Sequence, residues 1–149
     1  MPAGSAAAFE VFHNHAVRLR WDTLLKEAYV EGGASHPFVG AISFNRGKGW
    51  KAVLSMRTRF VAYDPPHVAA AIIVAPTGLF YFWGASMKHR DIESEGGGSE
   101  LDYSFHIKLR PRWLLAPFDF IAARIFAWQT RRRFTAMAEY LKQSSKETE

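Results

Sequence analysis

Few side chains in this chain invite a chemical reading. They are His13 and His15 in HNH, His89 at the end of an aromatic stretch, a scatter of carboxylates, and the triple arginine of QTRRRF. His13 and His15 stand two apart, so they share a face on a strand and diverge if Asn14 caps a helix. No third ligand follows at a recognisable spacing, and the pair is far from a closed zinc signature. With no cysteine in the chain, disulfides, thiolate nucleophiles and cysteine-ligated metals are excluded. The expectation is no metal and no cofactor.

His89 differs because it shares a strand face with Trp83 and Met87. There an imidazole is placed to orient a polar group of a ligand or to act as a general base. His106 alternates with Asp102 and Lys108, which assigns it to solvent. Asp22, Glu27, Asp64 and Asp102 form no pair at a spacing suited to acid–base work. Asp22 follows an apolar tryptophan and is expected to point outward, and Asp64 before two prolines reads as a turn residue. No catalytic residue is assigned.

Consecutive arginines on a helix diverge by about 100° each, so Arg131, Arg132 and Arg133 do not form one patch. Arg133 is expected at the edge of an apolar stripe, its stem packed and its head in water. Specific nucleic-acid binding is therefore not expected, although the net charge is +5. The single GxG in NRGKGW precedes a strand pattern rather than a helix, so it reads as a hairpin turn and not as a phosphate loop.

The elements that position these residues are legible as periodicities. Glu100 to Arg110 alternates Leu101, Tyr103, Phe105, Ile107 and Leu109 against polar neighbours, the period of a strand with one dry face. Leu79 to Asp91 places Leu79, Tyr81, Trp83, Ala85, Met87 and His89 on one side. Leu54 to Phe60 alternates likewise, and Val68 to Val74 is apolar on both faces. NRGKGW, YDPP and SEGGGS punctuate these runs, giving a meander of antiparallel strands.

A short strand is expected at Phe9 to His13, followed by a helix capped by Asn14 with Val17, Trp21, Leu24, Leu25 and Ala28 on one face. The last helix carries Phe126, Thr130, Phe134, Met137 and Leu141 on one stripe. It carries a second apolar face at Ile121, Ile125 and Trp128. Composition fits one globular domain over residues 1–149, with flexible ends at 1–8 and 144–149. No signal peptide or bilayer-spanning run is visible, and a cytoplasmic location is the expectation.

The leading strand with HNHAVRLRWDTLL, the NRGKGW turn, YDPP and the closing amphipathic helix together resemble the SRPBCC superfamily, the START and birch-pollen-allergen group. The likeness runs from Phe9 to Lys142 and is nearest to the polyketide cyclase/dehydrase-like branch. It implies an α+β helix-grip fold, a curved antiparallel sheet wrapped around a long C-terminal helix, with short helices near the N-terminus. It also implies a hydrophobic ligand, such as a lipid, a polyketide or an aromatic compound, held between sheet and helix. Met56, Thr58, Phe60, Tyr81, Trp83, His89, Tyr103, Phe105, Phe126, Phe134 and Met137 are the expected lining, with Thr58 and His89 as its polar groups. Two alternatives stand beside this reading. One is a cyclase or dehydratase using His89, the other a peripheral membrane or lipid-transfer module using Trp113 to Trp128. The protein is expected as a monomer or homodimer.

Overall fold

The computed structural model describes residues 1–49, 55–93 and 97–148. Two short helices, α1 (Ser5–His13) and α2 (His15–Trp21), precede six strands: β1 (Leu25–Val30), β2 (Ile42–Gly47), β3 (Met56–Asp64), β4 (Val68–Ile73), β5 (Phe80–Ile92) and β6 (Gly98–Leu109). A four-residue helix, α3 (Arg112–Leu115), and a 3-10 turn lead into α4 (Asp119–Thr148). The strands form one antiparallel meander in the order β1-β2-β3-β4-β5-β6.

In β6 the sequence alternation survives intact. Ile107 and Leu109 are buried, Leu101, Tyr103 and Phe105 half-buried, and their even-numbered neighbours from Glu100 to Lys108 exposed. The dry face cannot be buried by a single sheet alone, and α4 lies across it. Thr130, Arg133, Met137 and Leu141 are buried along the inner stripe of that helix, while Ile121, Ile125 and Trp128 stay exposed.

Several sequence expectations are corrected. Ser5–His13 is a helix, not an end followed by a strand at Phe9–His13. Three consecutive alanines favour helix there, and Ala8, Phe9, Phe12 and His13 bury one helical face. Within the first eight residues Ser5 and Ala8 are buried, and the Ser5 amide donates to Asp91 Oδ1 at 2.6 Å. Asn14 does cap α2, its Oδ1 accepting from the Val17 amide at 3.3 Å. That helix stops at Trp21, however, and Leu25 to Val30 is edge strand rather than helix.

The expected turn at Asn45 is displaced, because β2 runs through Gly47. Trp50, the last residue of the expected turn, and residues 51–54, up to the expected start of the next strand, lie outside the described residues, as do residues 94–96 of SEGGGS. The YDPP turn forms as read, closed by the His67 amide donating to the Asp64 carbonyl at 2.8 Å.

The core is divided. One cluster joins Ala8, Phe12, Trp21, Met87, Met137 and Leu141, where both N-terminal helices meet α4. A second joins Ile73, Phe80, Ile107 and Leu109 beneath the start of α4, and a third joins Phe9, Phe60 and Ala69. The space among the three clusters is not filled by side chains.

Candidate functional site

That space is a cavity of about 160 Å³. Its apolar wall comes from the dry faces of β3, β4 and β5 and from α4, and the alanines at 69, 70, 71 and 85 leave the room. Among the residues expected from sequence, Met56, Thr58, Phe60, Trp83, Tyr103 and Phe126 border it. The volume is below the roughly 300–1,000 Å³ usual for drug-sized ligands.

Five expected residues do not border the cavity. Tyr81 is 50% exposed on the outer side of the sheet. The pairing of β5 with β6 shifts between Phe80 and Phe82, and this bulge turns Phe80 inward in Tyr81's place. Phe105 is taken up by packing on Phe126, with ring centroids 4.8 Å apart. Phe134 and Met137 lie in the cluster at the α1–α4 contact, filling core rather than facing the void.

His89, the fifth, is 1% exposed and sits behind the wall against Phe9, with ring centroids 5.5 Å apart. Neither ring nitrogen has a hydrogen-bond partner among the described residues. Burial, with the N-terminal ammonium nearby, pushes its pKa down to about 4. His89 is not among the residues that border the cavity, so the ligand-orienting or acid–base role expected of it has no support in the cavity's geometry.

Sequence reasoning missed the polar end of the cavity. Asp22, expected in solvent, is 1% exposed. It is the C-cap of α2, with backbone angles that leave the helix, so its side chain turns inward rather than following Trp21's neighbours around the helix. Its Oδ1 accepts from the Leu24 amide at 3.0 Å. Its Oδ2 accepts from Arg133 Nη2 at 2.6 Å and Nε at 3.1 Å, and from Arg18 Nε at 3.2 Å. Arg133 therefore does not reach water: it is buried, crossing from α4 to the end of α2. Both arginines border the cavity. The two guanidinium groups hold the Asp22 carboxyl down to about 2 against the desolvation that would raise it.

Beside them runs a hydrogen-bonded chain whose polarity is fixed. His15 Nδ1 meets the His13 carbonyl at 3.0 Å and must donate, so its Nε2 accepts from Ser43 Oγ at 2.7 Å. Ser43 Oγ in turn accepts from Asn45 Nδ2 at 3.1 Å. The chain ends on Asn45 Oδ1, which has no partner among the described residues, and Trp83 Nε1 is likewise unpartnered. Both residues border the cavity. His13 also borders it, with Nδ1 bonded to the Phe9 carbonyl at 2.9 Å and burial pushing its pKa down to about 3. Among the described residues no group of three potential metal ligands comes together.

A curved six-stranded sheet closed by a long C-terminal helix over an internal cavity defines a helix-grip protein. Ara h 8.0201 superposes with a TM-score of 0.65 at 11% identity, over 95% of this chain and 92% of that one. A protein of unknown function from Staphylococcus aureus, SA2116, reaches 0.70 at 11% identity, over 97% and 90%. A Rhodobacter sphaeroides protein reaches 0.64 at 15% identity, over 96% and 87%. At such identities the likeness is one of fold. No family model matches the sequence, and no curated protein matches it.

Proposed function

We propose that the protein binds a small, largely apolar molecule in the cavity between sheet and α4. The observation that carries this reading is a void bordered by aromatic and alanine side chains, where the buried Asn45 Oδ1 and Trp83 Nε1 lack partners among the described residues. Native interiors pack densely and satisfy their polar groups. A site with a few convergent polar groups on an apolar wall is what a ligand pocket requires.

Binding is favoured over proton-transfer catalysis by the state of the groups that reach the cavity. His13 is neutral at any pH near 7, burial raises the Tyr103 phenol, and Arg18 is lowered only to about 10. None is poised near neutrality, where a general acid or base works best. Native mass spectrometry of the purified protein tests the reading directly. A co-purified apolar compound, displaced in the Ala71→Phe variant, is the expected result. Binding of apolar probes unchanged by that added ring would place any ligand elsewhere.

A second reading has its own observation. The aromatic segment leading into α4 is not covered by the rest of the chain: Trp113 is 84% exposed, and Phe120, Ile121, Ile125 and Trp128 are more than half exposed. Arg124 and Arg132 lie over the rings of Phe120 and Trp128 at 5.7 and 4.9 Å. Apolar side chains interleaved with arginines suit contact with an anionic lipid surface. No described helix is long and apolar enough to cross a membrane, so this contact is superficial. Sedimentation with anionic vesicles, weakened in Trp113→Ser and absent with neutral vesicles, is the expected outcome.

A further inference from the structure

The charges at the polar end of the cavity do not balance. Arg18 and Arg133 share one carboxylate, that of Asp22, and among the described residues neither has another acidic partner. His13 and His15 are held neutral by burial, and the Tyr103 phenol is kept protonated. The side chains meeting there thus carry two positive charges against one negative. A buried ion without a counter-ion is costly, because the interior does not replace its hydration.

The geometry also leaves donors free. Among the described residues, Arg18 donates only through Nε, and Arg133 only through Nε and Nη2. Phe12 lies 4.3 Å from the Arg18 guanidinium carbon and covers one face of that group. The uncovered N–H edge is what remains for an acceptor in the cavity, and a guanidinium fork matches a carboxylate in two parallel hydrogen bonds.

We propose that the ligand is a small carboxylic acid, bound as its anion, with the carboxylate on Arg18 and Arg133 and an aromatic or short aliphatic body against Trp83, Met56 and Phe126. This rests on the cavity-binding reading above and names its ligand class. One negative charge brings the cluster to neutrality. A phosphate monoester carries about −1.5 to −2 near neutral pH and would leave a buried excess of the other sign. The volume of about 160 Å³ confines the body to something near a two-ring aromatic or a short chain.

The test compares probes of one shape by isothermal titration calorimetry: 2-naphthoate, 2-naphthamide and 2-naphthyl phosphate. The expected result is tighter binding of the carboxylate than of the amide by roughly tenfold or more, as charge-assisted hydrogen bonds to a desolvated cation supply. Arg18→Gln, which leaves the Asp22–Arg133 pair balanced, should abolish that preference. The comparison of probes on the parent protein stands even if that variant fails to fold. Equal affinity for naphthoate and naphthamide would overturn the carboxylate assignment and leave apolar binding intact. Tightest binding by the phosphate would also overturn it. Binding of none of the three would remove both this proposal and the reading beneath it.

Discussion

Lowering the pH from 7 to 5 should strongly destabilise this protein before its ordinary carboxylates titrate. Three buried histidines take up protons far less readily in the folded chain than in the unfolded one, where the ordinary value is 6.5. Burial brings His13 to about 3, and His15 and His89 to about 4. Above 6.5 both states are neutral at these positions and the full stability is present. Below it the unfolded state binds protons that the native state refuses, so stability falls with pH until the folded values are reached. Each group contributes about 1.4 kcal/mol per pH unit in that window. Three groups acting together remove roughly 5 kcal/mol between pH 7 and pH 5. A domain of this size is stable by only about 5–15 kcal/mol. Urea unfolding followed by tryptophan fluorescence at half-unit steps from pH 7.5 to 4.5 measures the slope. His89→Leu, which removes one buried imidazole with no hydrogen-bond partner among the described residues, should flatten the slope by about a third without loss of stability at pH 7. A parent stability constant within about 1 kcal/mol from pH 7 to 5 would refute the reasoning, since the three rings would then be reaching water.

Further outcomes follow from the same contacts. Asp22→Ala removes the carboxylate shared by the buried Arg133 and the largely buried Arg18 and should cost about 3–5 kcal/mol by urea denaturation, whereas the exposed Arg132→Ala should stay within about 0.5 kcal/mol of the parent. Met137 is fully buried between α1 and the sheet, so Met137→Ala should lower stability by about 2–5 kcal/mol. With Arg133 committed to Asp22, Arg131 and Arg132 remain for phosphates. Binding to labelled duplex DNA should therefore be weak and sequence-indifferent, with a log–log salt slope no steeper than about −1.8.

The sequence by itself determined the parts of this protein that rest on local periodicity. The period of two in Glu100 to Arg110 fixed which face of β6 is dry, because successive strand side chains must point to opposite sides. The stripe of Phe126, Thr130, Phe134, Met137 and Leu141 fixed how α4 meets the sheet, because residues three and four apart share one side of a helix. Asn14 announced the start of α2, since its side chain can satisfy an amide that the helix leaves free. The inward turn of Phe80 in place of Tyr81 was not legible, because a bulge belongs to the pairing of two strands and leaves no mark on one strand's alternation. The Phe9–His13 segment alternates acceptably as a strand, and packing against the sheet and α4 settled it as helix. Above all, Asp22 and Arg133 stand 111 positions apart. No spacing rule links them, and each alone reads as a surface charge. Only the fold, by ending α2 at Trp21 and laying α4 across it, brings them together out of water with Arg18, and that meeting decides the charge at the end of the cavity.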